Sequence, residues 1–326
     1  MSAARVVLTD NLFDSLEEFN SQLGPMGLSL ETAAATDEAT LAAEARSAIA
    51  LIVVYAKITE PVIAAAAEAG CKVISRCGIG FDNIDVDAAT QHGIQVTYVP
   101  DYCLDEVADH TFAMLLASAR SLIPAALETR AGGWSWSKMQ VHRLQGRRLA
   151  LVGVGRIGRR VASRALAFGL RVCAYDPYLE EWDLAGVERS STMAEALAEA
   201  DFVSLHAPMT PENRHLVGAQ TLALMKRAPV LINTARGGLV DLEEVTRALE
   251  DGRLSGVALD VTEVEPLAKD HALRSHPRAL ITPHMAFYSL ESEAELKRRA
   301  AEEVVRAVRG EPPRCPVNRL EAATRG

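Results

Sequence analysis

No stretch of this chain approaches the roughly 20 consecutive apolar residues that span a bilayer. Its opening "MSAARVVLTDN" lacks the apolar core of a secretory signal. Both absences lead us to expect a soluble, cytoplasmic protein with no membrane partner. The five cysteines, Cys71, Cys77, Cys103, Cys173 and Cys315, form no C-x-x-C pair and no zinc spacing. They read as free thiols in a reducing compartment, with no metal site. A basic stripe with interleaved aromatics is also missing, and a formal net charge of −9 would repel a phosphate backbone. Nucleic acid is therefore not expected as a partner, although a small anion can bind where a few arginines focus on one cleft. Aromatics are scarce at 5% while 49% of residues are apolar, and much of that share is alanine. Such a composition suits packed helices better than an all-β sandwich. Tandem repeats and low-complexity tracts are absent too.

What is present is an alternation. The 326 residues leave room for two domains. "RVVLT" (5–9), "ALIVVYA" (50–56), "CKVIS" (71–75) and "IQVTYV" (94–99) read as buried strands, with "VIAAAAEAG" and "IDVDAATQHG" as crossover helices closed by glycine. That order predicts a parallel sheet. "LDEVADHTFAMLLASARSLIPAALETR" then reads as one long helical stretch interrupted at Pro124. Six further strands follow, "RRLALVG", "LRVCAYD", "DFVSLHA", "PVLINTA", "SGVALDV" and "ALITP", enough for a second doubly wound sheet. A final helix over 289–309 precedes the proline-rich "GEPPRCPVN". The spacing places a first α/β domain at about 1–100 and a second at about 101–286.

Between a strand and a helix, "LALVGVGRIGRRVASRAL" sets Gly153, Gly155 and Gly158 as G-x-G-x-x-G. A bare match of this kind is weak evidence, but the next strand ends in Asp176, 18 residues beyond Gly158 (176 − 158), where an acid can accept hydrogen bonds from an adenine ribose. In this pattern Gly153 permits the tight turn, Gly155 lets a pyrophosphate approach the backbone, and Gly158 lets the helix pack on its strand. The helix N-terminus supplies unpaired N–H groups and partial positive charge. A carboxylate at 176 would repel a 2′-phosphate, so the expected cofactor is NAD.

Ligands of open α/β sheets bind outside the carboxyl ends of the strands. That rule singles out Arg236 in "NTARGGLVD", Asp260 with Glu263 and Glu265 in "LDVTEVEP", and His284 in "LITPHMAFYS". A lone histidine is more often a packing residue, but here an arginine and a carboxylate share its end of the sheet. Hydride transfer to a carbonyl needs such a set, because the carbonyl must be polarised and the forming alkoxide must receive a proton near neutral pH. Arg236 can fork onto a carboxylate. Glu265, bonded to His284, would favour the imidazolium. Glu263 competes for that role but reads better as a solvated loop acid. Asp270, His271 and His276 lie on a polar connection, and His206 and His215 show no carboxylate partner by spacing, so none of them is the expected acid. In the first domain, "SRCGIGFDNIDV" reads either as a glycine-rich turn or as an anion site in which the N–H groups of Gly78 and Ile79, with Arg76 beside them, hold a carboxylate. Cys77 beside it reads as a buried bystander.

Taken in order, "GIGFDNID", "VGVGRIG", "NTARGGLVD", "LDVTEVEP" and "TPH" resemble the D-isomer-specific 2-hydroxyacid dehydrogenases across nearly the whole chain. The resemblance implies a Rossmann NAD-binding domain and a flavodoxin-like substrate domain, both doubly wound. It implies Arg236, Glu265 and His284 as the catalytic set, acting on a small 2-oxo or D-2-hydroxy acid. It further implies NAD contacts at Gly153, Gly155, Arg156, Ile157, Gly158 and Asp176, along the loop with His206, Ala207, Pro208 and Asn213, at Thr234, Ala235 and Arg236, at His284, and at Asp260 for the carboxamide. In the family the last helix returns to the first domain, which assigns 287–326 to it, and the helix after Pro100 helps to form a homodimer. "RCGIGFDNID", "VPDYCLDEVADHT", "AYDPYL" and "TPHMAFYS" look most like the branch containing the C-terminal-binding corepressors, whose substrate pocket is lined by residues matching Arg76 and Phe287. That branch carries tryptophan at 287. Phenylalanine keeps an apolar wall without the indole N–H. Phosphoglycerate dehydrogenases are also similar, although this sequence leaves no room for an added serine-sensing domain. Glu265, where formate dehydrogenases carry glutamine, argues against formate. The alternative expectation is an NAD-sensing interaction module with little turnover.

Overall fold

The computed structural model describes residues 4–320, which fall into two compact units, 4–102 with 289–320, and Cys103–Tyr288. The first unit runs β1 (Ala4–Leu8), α1 (Glu17–Leu23), β2 (Leu28–Thr32), α2 (Glu38–Ala45), β3 (Ala50–Val53), α3 (Glu60–Glu68), β4 (Val73–Arg76), α4 (Val86–Gln91) and β5 (Gln95–Thr97). Its five strands are parallel in the order β2-β1-β3-β4-β5, the flavodoxin-like arrangement. Five strands rather than four are present because β2, "LSLET", is a half-exposed edge whose polar alternation hides it in the sequence.

The second unit contributes α5 (Leu104–Ala119), α6 (Leu122–Arg130), β6 (Arg148–Val152), α7 (Arg156–Ala167), β7 (Arg171–Tyr175), β8 (Val187–Arg189), α8 (Met193–Ala198), β9 (Phe202–Leu205), α9 (Ala219–Leu222), β10 (Val230–Asn233), α10 (Leu242–Glu250), β11 (Gly256–Leu259) and β12 (Ala279–Ile281). Its sheet is parallel in the order β12-β11-β10-β9-β6-β7-β8, a doubly wound sheet that reverses direction between β6 and β9. The expected six strands are joined by a seventh, β8, a three-residue edge. Alternation explains how both faces are covered. Leu149 and Leu151 pack with Val161 and Ala165 of α7 and Phe112 and Leu115 of α5, while Ala150 and Val152 pack on the other face with Leu197, Val245 and Leu249. A strand buried on two sides is apolar throughout, hence the continuous runs in the sequence.

The long helical stretch is two helices bent by 62° between α5 and α6. Pro124 dictates the break: its ring would clash with the carbonyl four residues earlier, at Arg120, and the chain turns there with Ser121 at φ 49°. Among the described residues no single helix is long and apolar enough to cross a membrane. The last helix, α11 (Leu290–Arg309), starts at a Ser289–Ser292 capping box, ends at left-handed Gly310, and packs in the first unit, where Ser75 Oγ donates to the Ala300 carbonyl at 2.9 Å.

Candidate active site

The turn after β6 is built by its glycines. Gly153 has φ 90°, and a Cβ there would stand 2.8 Å from the His206 carbonyl, while one on Gly158 would stand 2.5 Å from the Gly153 carbonyl oxygen. Gly155, by contrast, faces open space, with nothing within 4 Å of where its Cβ would be. The first and third glycines thus seat strand, turn and helix against each other, and the second leaves room for a phosphate at the N-terminus of α7, where Arg156 and Ile157 begin the helix. Asp176 follows β7 and accepts from the Val154 N–H at 3.0 Å and the Tyr178 N–H at 3.0 Å. Its oxygens keep further lone pairs for a ribose. These features fit a dinucleotide.

The β9 loop is self-braced. Asn213 accepts from the Thr210 N–H at 2.7 Å and donates to the Pro208 carbonyl at 2.7 Å, so its amide shapes the turn around Ala207 and Pro208. His206 is bonded to Ser204 Oγ at 2.9 Å, and burial pushes its imidazole down to about 4, so the ring is neutral at pH 7. Beyond β10, buried Asn233 clamps the next turn: its side chain accepts from the Ala235 N–H at 3.0 Å and donates to the Arg236 carbonyl at 2.9 Å. Arg236 in turn donates to the Ala235 carbonyl at 2.8 Å.

His284 stands two residues beyond Thr282 with φ 52°, a left-handed conformation that costs a non-glycine residue on the order of 1–3 kcal/mol. Asp260 holds it there. The His284 N–H donates to the Asp260 carbonyl at 2.8 Å, and the Asp260 carboxylate accepts from the Met285 and Ala286 N–H groups at 2.9 Å each and from Thr282 Oγ1 at 2.6 Å. The ring then meets Glu265, Nδ1 to Oε2 at 2.7 Å, and lies edge-on to Phe287 with centroids 6.4 Å apart. Burial alone would raise the Glu265 carboxyl. The bond and charge of His284, the Thr262 N–H at 2.9 Å and the Arg236 charge outweigh it, so Glu265 is held below its ordinary range and stays ionised.

The competing acid is otherwise engaged. Glu263 takes Arg214 and His215, and His215 Nε2 lies 3.1 Å from it. His215 therefore has a carboxylate partner after all, one that sequence spacing hid because the two are 48 residues apart. His271 and His276 accept from the Leu273 and Arg278 N–H groups and serve their own turns.

In the first unit, Arg76 ends β4 buried, with its guanidinium 5.8 Å from the Tyr55 ring centroid. Gly78 has φ 146°, and a Cβ there would collide with that guanidinium. The Gly78 N–H turns back to the Arg76 carbonyl at 3.1 Å, so it is engaged within its own turn, and Ile79 follows it. Cys77 is buried and its thiol is pushed up to about 12 by desolvation, so it stays protonated and inert.

Four residues of the second unit were not singled out by spacing: Asn233, Thr282, His110 and Thr111. His110 Nε2 lies 3.0 Å from Thr282 Oγ1, and Thr111 Oγ1 lies 2.7 Å from Thr234 Oγ1. His110 and Thr111 sit side by side on α5, and nothing in the spacing of that helix marks them.

Residues 112–286 match the description "D-isomer specific 2-hydroxyacid dehydrogenase, NAD binding domain". The chain is 36% identical over 317 residues to a D-3-phosphoglycerate dehydrogenase of Methanocaldococcus jannaschii, covering 96% of itself but 59% of that protein. It is 39% identical over 270 residues to a glyoxylate reductase of Korarchaeum cryptofilum, covering 80% of itself and 81% of that protein. A D-lactate dehydrogenase from Aquifex aeolicus, solved with NAD and lactic acid, superposes with a TM-score of 0.85 at 32% identity, over 94% of this chain and 96% of that one. The chain therefore belongs to the D-isomer-specific 2-hydroxyacid dehydrogenase family, and residues 112–286 are its NAD-binding domain.

Proposed function

We propose that this protein interconverts a 2-oxo acid and the matching D-2-hydroxy acid, with NAD(H) as redox partner and His284 as acid and base. The observation that carries the reading is the 2.7 Å contact between His284 and a Glu265 held ionised, at the strand ends that also present Arg236. When bound, the cofactor supplies or accepts the hydride. With Nδ1 on Glu265, His284 delivers or takes the substrate proton through Nε2, and the carboxylate supports the imidazolium. The planar guanidinium fork of Arg236 suits a substrate carboxylate or the polarised oxygen beside it. Arg76, Gly78 and Ile79 are the proposed carboxylate-binding set of the first unit, and Phe287 a proposed apolar wall.

The substrate class follows from the relatives' names: phosphoglycerate, glyoxylate and lactate are all small 2-hydroxy or 2-oxo acids. The test is NADH consumption against a panel including glyoxylate and pyruvate, repeated with His284→Ala. Proton transfer by a positioned group contributes roughly 10² to 10⁴-fold, so the variant should lose that much turnover while still binding NADH. Unchanged turnover would remove His284 from the mechanism. Tight NADH binding by the unaltered protein without turnover on any acid would favour a dinucleotide sensor instead.

The proposal extends to a homodimer. α6 and the segment after it expose Leu122, Ile123, Leu127, Trp134 and Trp136, and a groove of about 520 Å³ is lined by Leu116, Val141, Leu144 and Phe168 together with Arg120, His142 and Arg143. Exposed apolar side chains gathered on one segment are what a self-association face would present, which supports the dimer reading.

A further inference from the structure

Two adjacent side chains of α5, His110 and Thr111, reach different catalytic loops. Donor directions in both contacts are forced by chemistry. The Thr282 hydroxyl donates a hydrogen bond to the Asp260 side chain at 2.6 Å, and Asp260 is 2% exposed. Thr282 must then accept from His110, whose Nε2–H lies 3.0 Å away and 3.6 Å from Asp260 Oδ1. The same Asp260 carboxylate gathers the Met285 and Ala286 N–H groups, and its backbone carbonyl takes that of strained His284. On the next residue, Thr111 Oγ1 donates to the Val107 carbonyl at 2.7 Å, so its 2.7 Å contact with Thr234 is one in which Thr234 donates. Thr234 lies two residues before Arg236, in the turn clamped by Asn233.

We infer that His110 and Thr111 are paired positioning residues: one helix sets the His284 turn through Thr282 and Asp260, and the Arg236 turn through Thr234. This inference rests on the function proposed above. A left-handed histidine persists only where its surroundings over-determine it. The four bonds converging on Asp260 do so, and His110 closes the chain from the opposite side. Removing its N–H leaves Thr282 free to rotate off Asp260, so the His284 turn can relax toward an unstrained conformation and lose its alignment with Glu265. Removing the Thr111 hydroxyl releases Thr234 and loosens the Arg236 turn instead.

The two halves predict different kinetic signatures. His110→Phe keeps ring volume without the donor and should lower kcat about 10 to 100-fold, because misplacement near 1 Å costs up to that much. KM for the oxo acid should change little. Thr111→Val, an isostere without the hydroxyl, should instead raise KM for the oxo acid, because its target anchors the substrate. His110→Gln, which restores an N–H, and Thr111→Ser, which restores the hydroxyl, should each recover most of the loss. Proton NMR supplies a readout independent of turnover: the low-field His284 Nδ1 proton shared with Glu265 should be lost in His110→Phe and regained in His110→Gln. A kcat within twofold of the unaltered protein, a retained low-field proton in His110→Phe, or losses that neither conservative variant recovers would overturn the inference. If the unaltered protein turns over no oxo acid, the proposed function falls, and the NMR signal alone decides the positioning role.

Discussion

At the scale of single residues, the second unit sets protonation states by surroundings more than by residue type. Glu265 and His206 show the two directions. Glu265 stays ionised against the desolvation that opposes its charge because His284 and the Thr262 N–H reward that charge. His206 bonds a serine hydroxyl and, among the described residues, no carboxylate, so burial prevails and holds the ring neutral down to about 4 against an ordinary 6.5. The consequence for folding has a definite sign. Between those values the unfolded chain binds a proton that the folded chain refuses, so stability is full above about 6.5 and is drawn down as pH falls toward about 4. His206→Gln can keep a bond to Ser204 without the titration. Urea denaturation at pH 7 and near pH 4.5 should therefore show the unaltered protein losing more stability on acidification than the variant. Equal losses would mean that His206 titrates normally.

Among elements, the glycine turn and the strand ends divide what was readable from what was not. G-x-G-x-x-G carried its meaning in the sequence because each glycine answers a local steric demand, and Asp176 because one βαβ unit fixes its spacing. Arg236, Asp260, Glu265 and His284 could be singled out as candidates because all follow apolar runs of parallel strands. The bracing was not. His110 and Thr111 reach Thr282 and Thr234 across 172 and 123 residues of sequence, and no periodicity reports such pairs. Boundaries failed for related reasons: "ALIVVYA" reads as one strand, but β3 stops at Val53 because Asp10 takes the Val54 and Tyr55 N–H groups at 3.1 and 2.6 Å. The glycines also separate packing from binding. Gly155→Ala adds a methyl in open space at φ −67°, so stability should hold while NADH affinity drops, because the methyl occupies the phosphate's approach. Gly158→Ala meets the Gly153 carbonyl and should cost about 1–3 kcal/mol of stability as well, by overpacking. Melting temperature and NADH titration on both variants test this division. Gly155→Ala binding NADH as tightly as the unaltered chain would place the phosphate elsewhere.

On the scale of the whole molecule, scarcity of aromatics is informative in itself. Aromatics make up 5% of the chain and only three residues are tryptophan. Trp182 is partly buried, its indole N–H bonded to the Val187 carbonyl at 3.0 Å, whereas Trp134 and Trp136 are 90% and 89% exposed. Composition could not have shown this, because "GGWSWSK" has no period that says which way its rings face. A chain that spends two of its three tryptophans on solvent leaves a large area uncovered. An aromatic side chain buries roughly 150–250 Å², so two from each protomer would supply about half of a standard interface near 1,600 Å². The adjoining Leu122, Ile123 and Leu127 can supply much of the remainder. The expected assembly is therefore a dimer closed through this segment, with mass twice that of the chain by light scattering at micromolar concentration. Replacing Trp134 and Trp136 with serine removes the anchors without touching either hydrophobic core, so the variant should run as a folded monomer with NADH affinity intact. A monomeric unaltered protein, or a variant that remains dimeric, would assign the exposed tryptophans to something other than self-association.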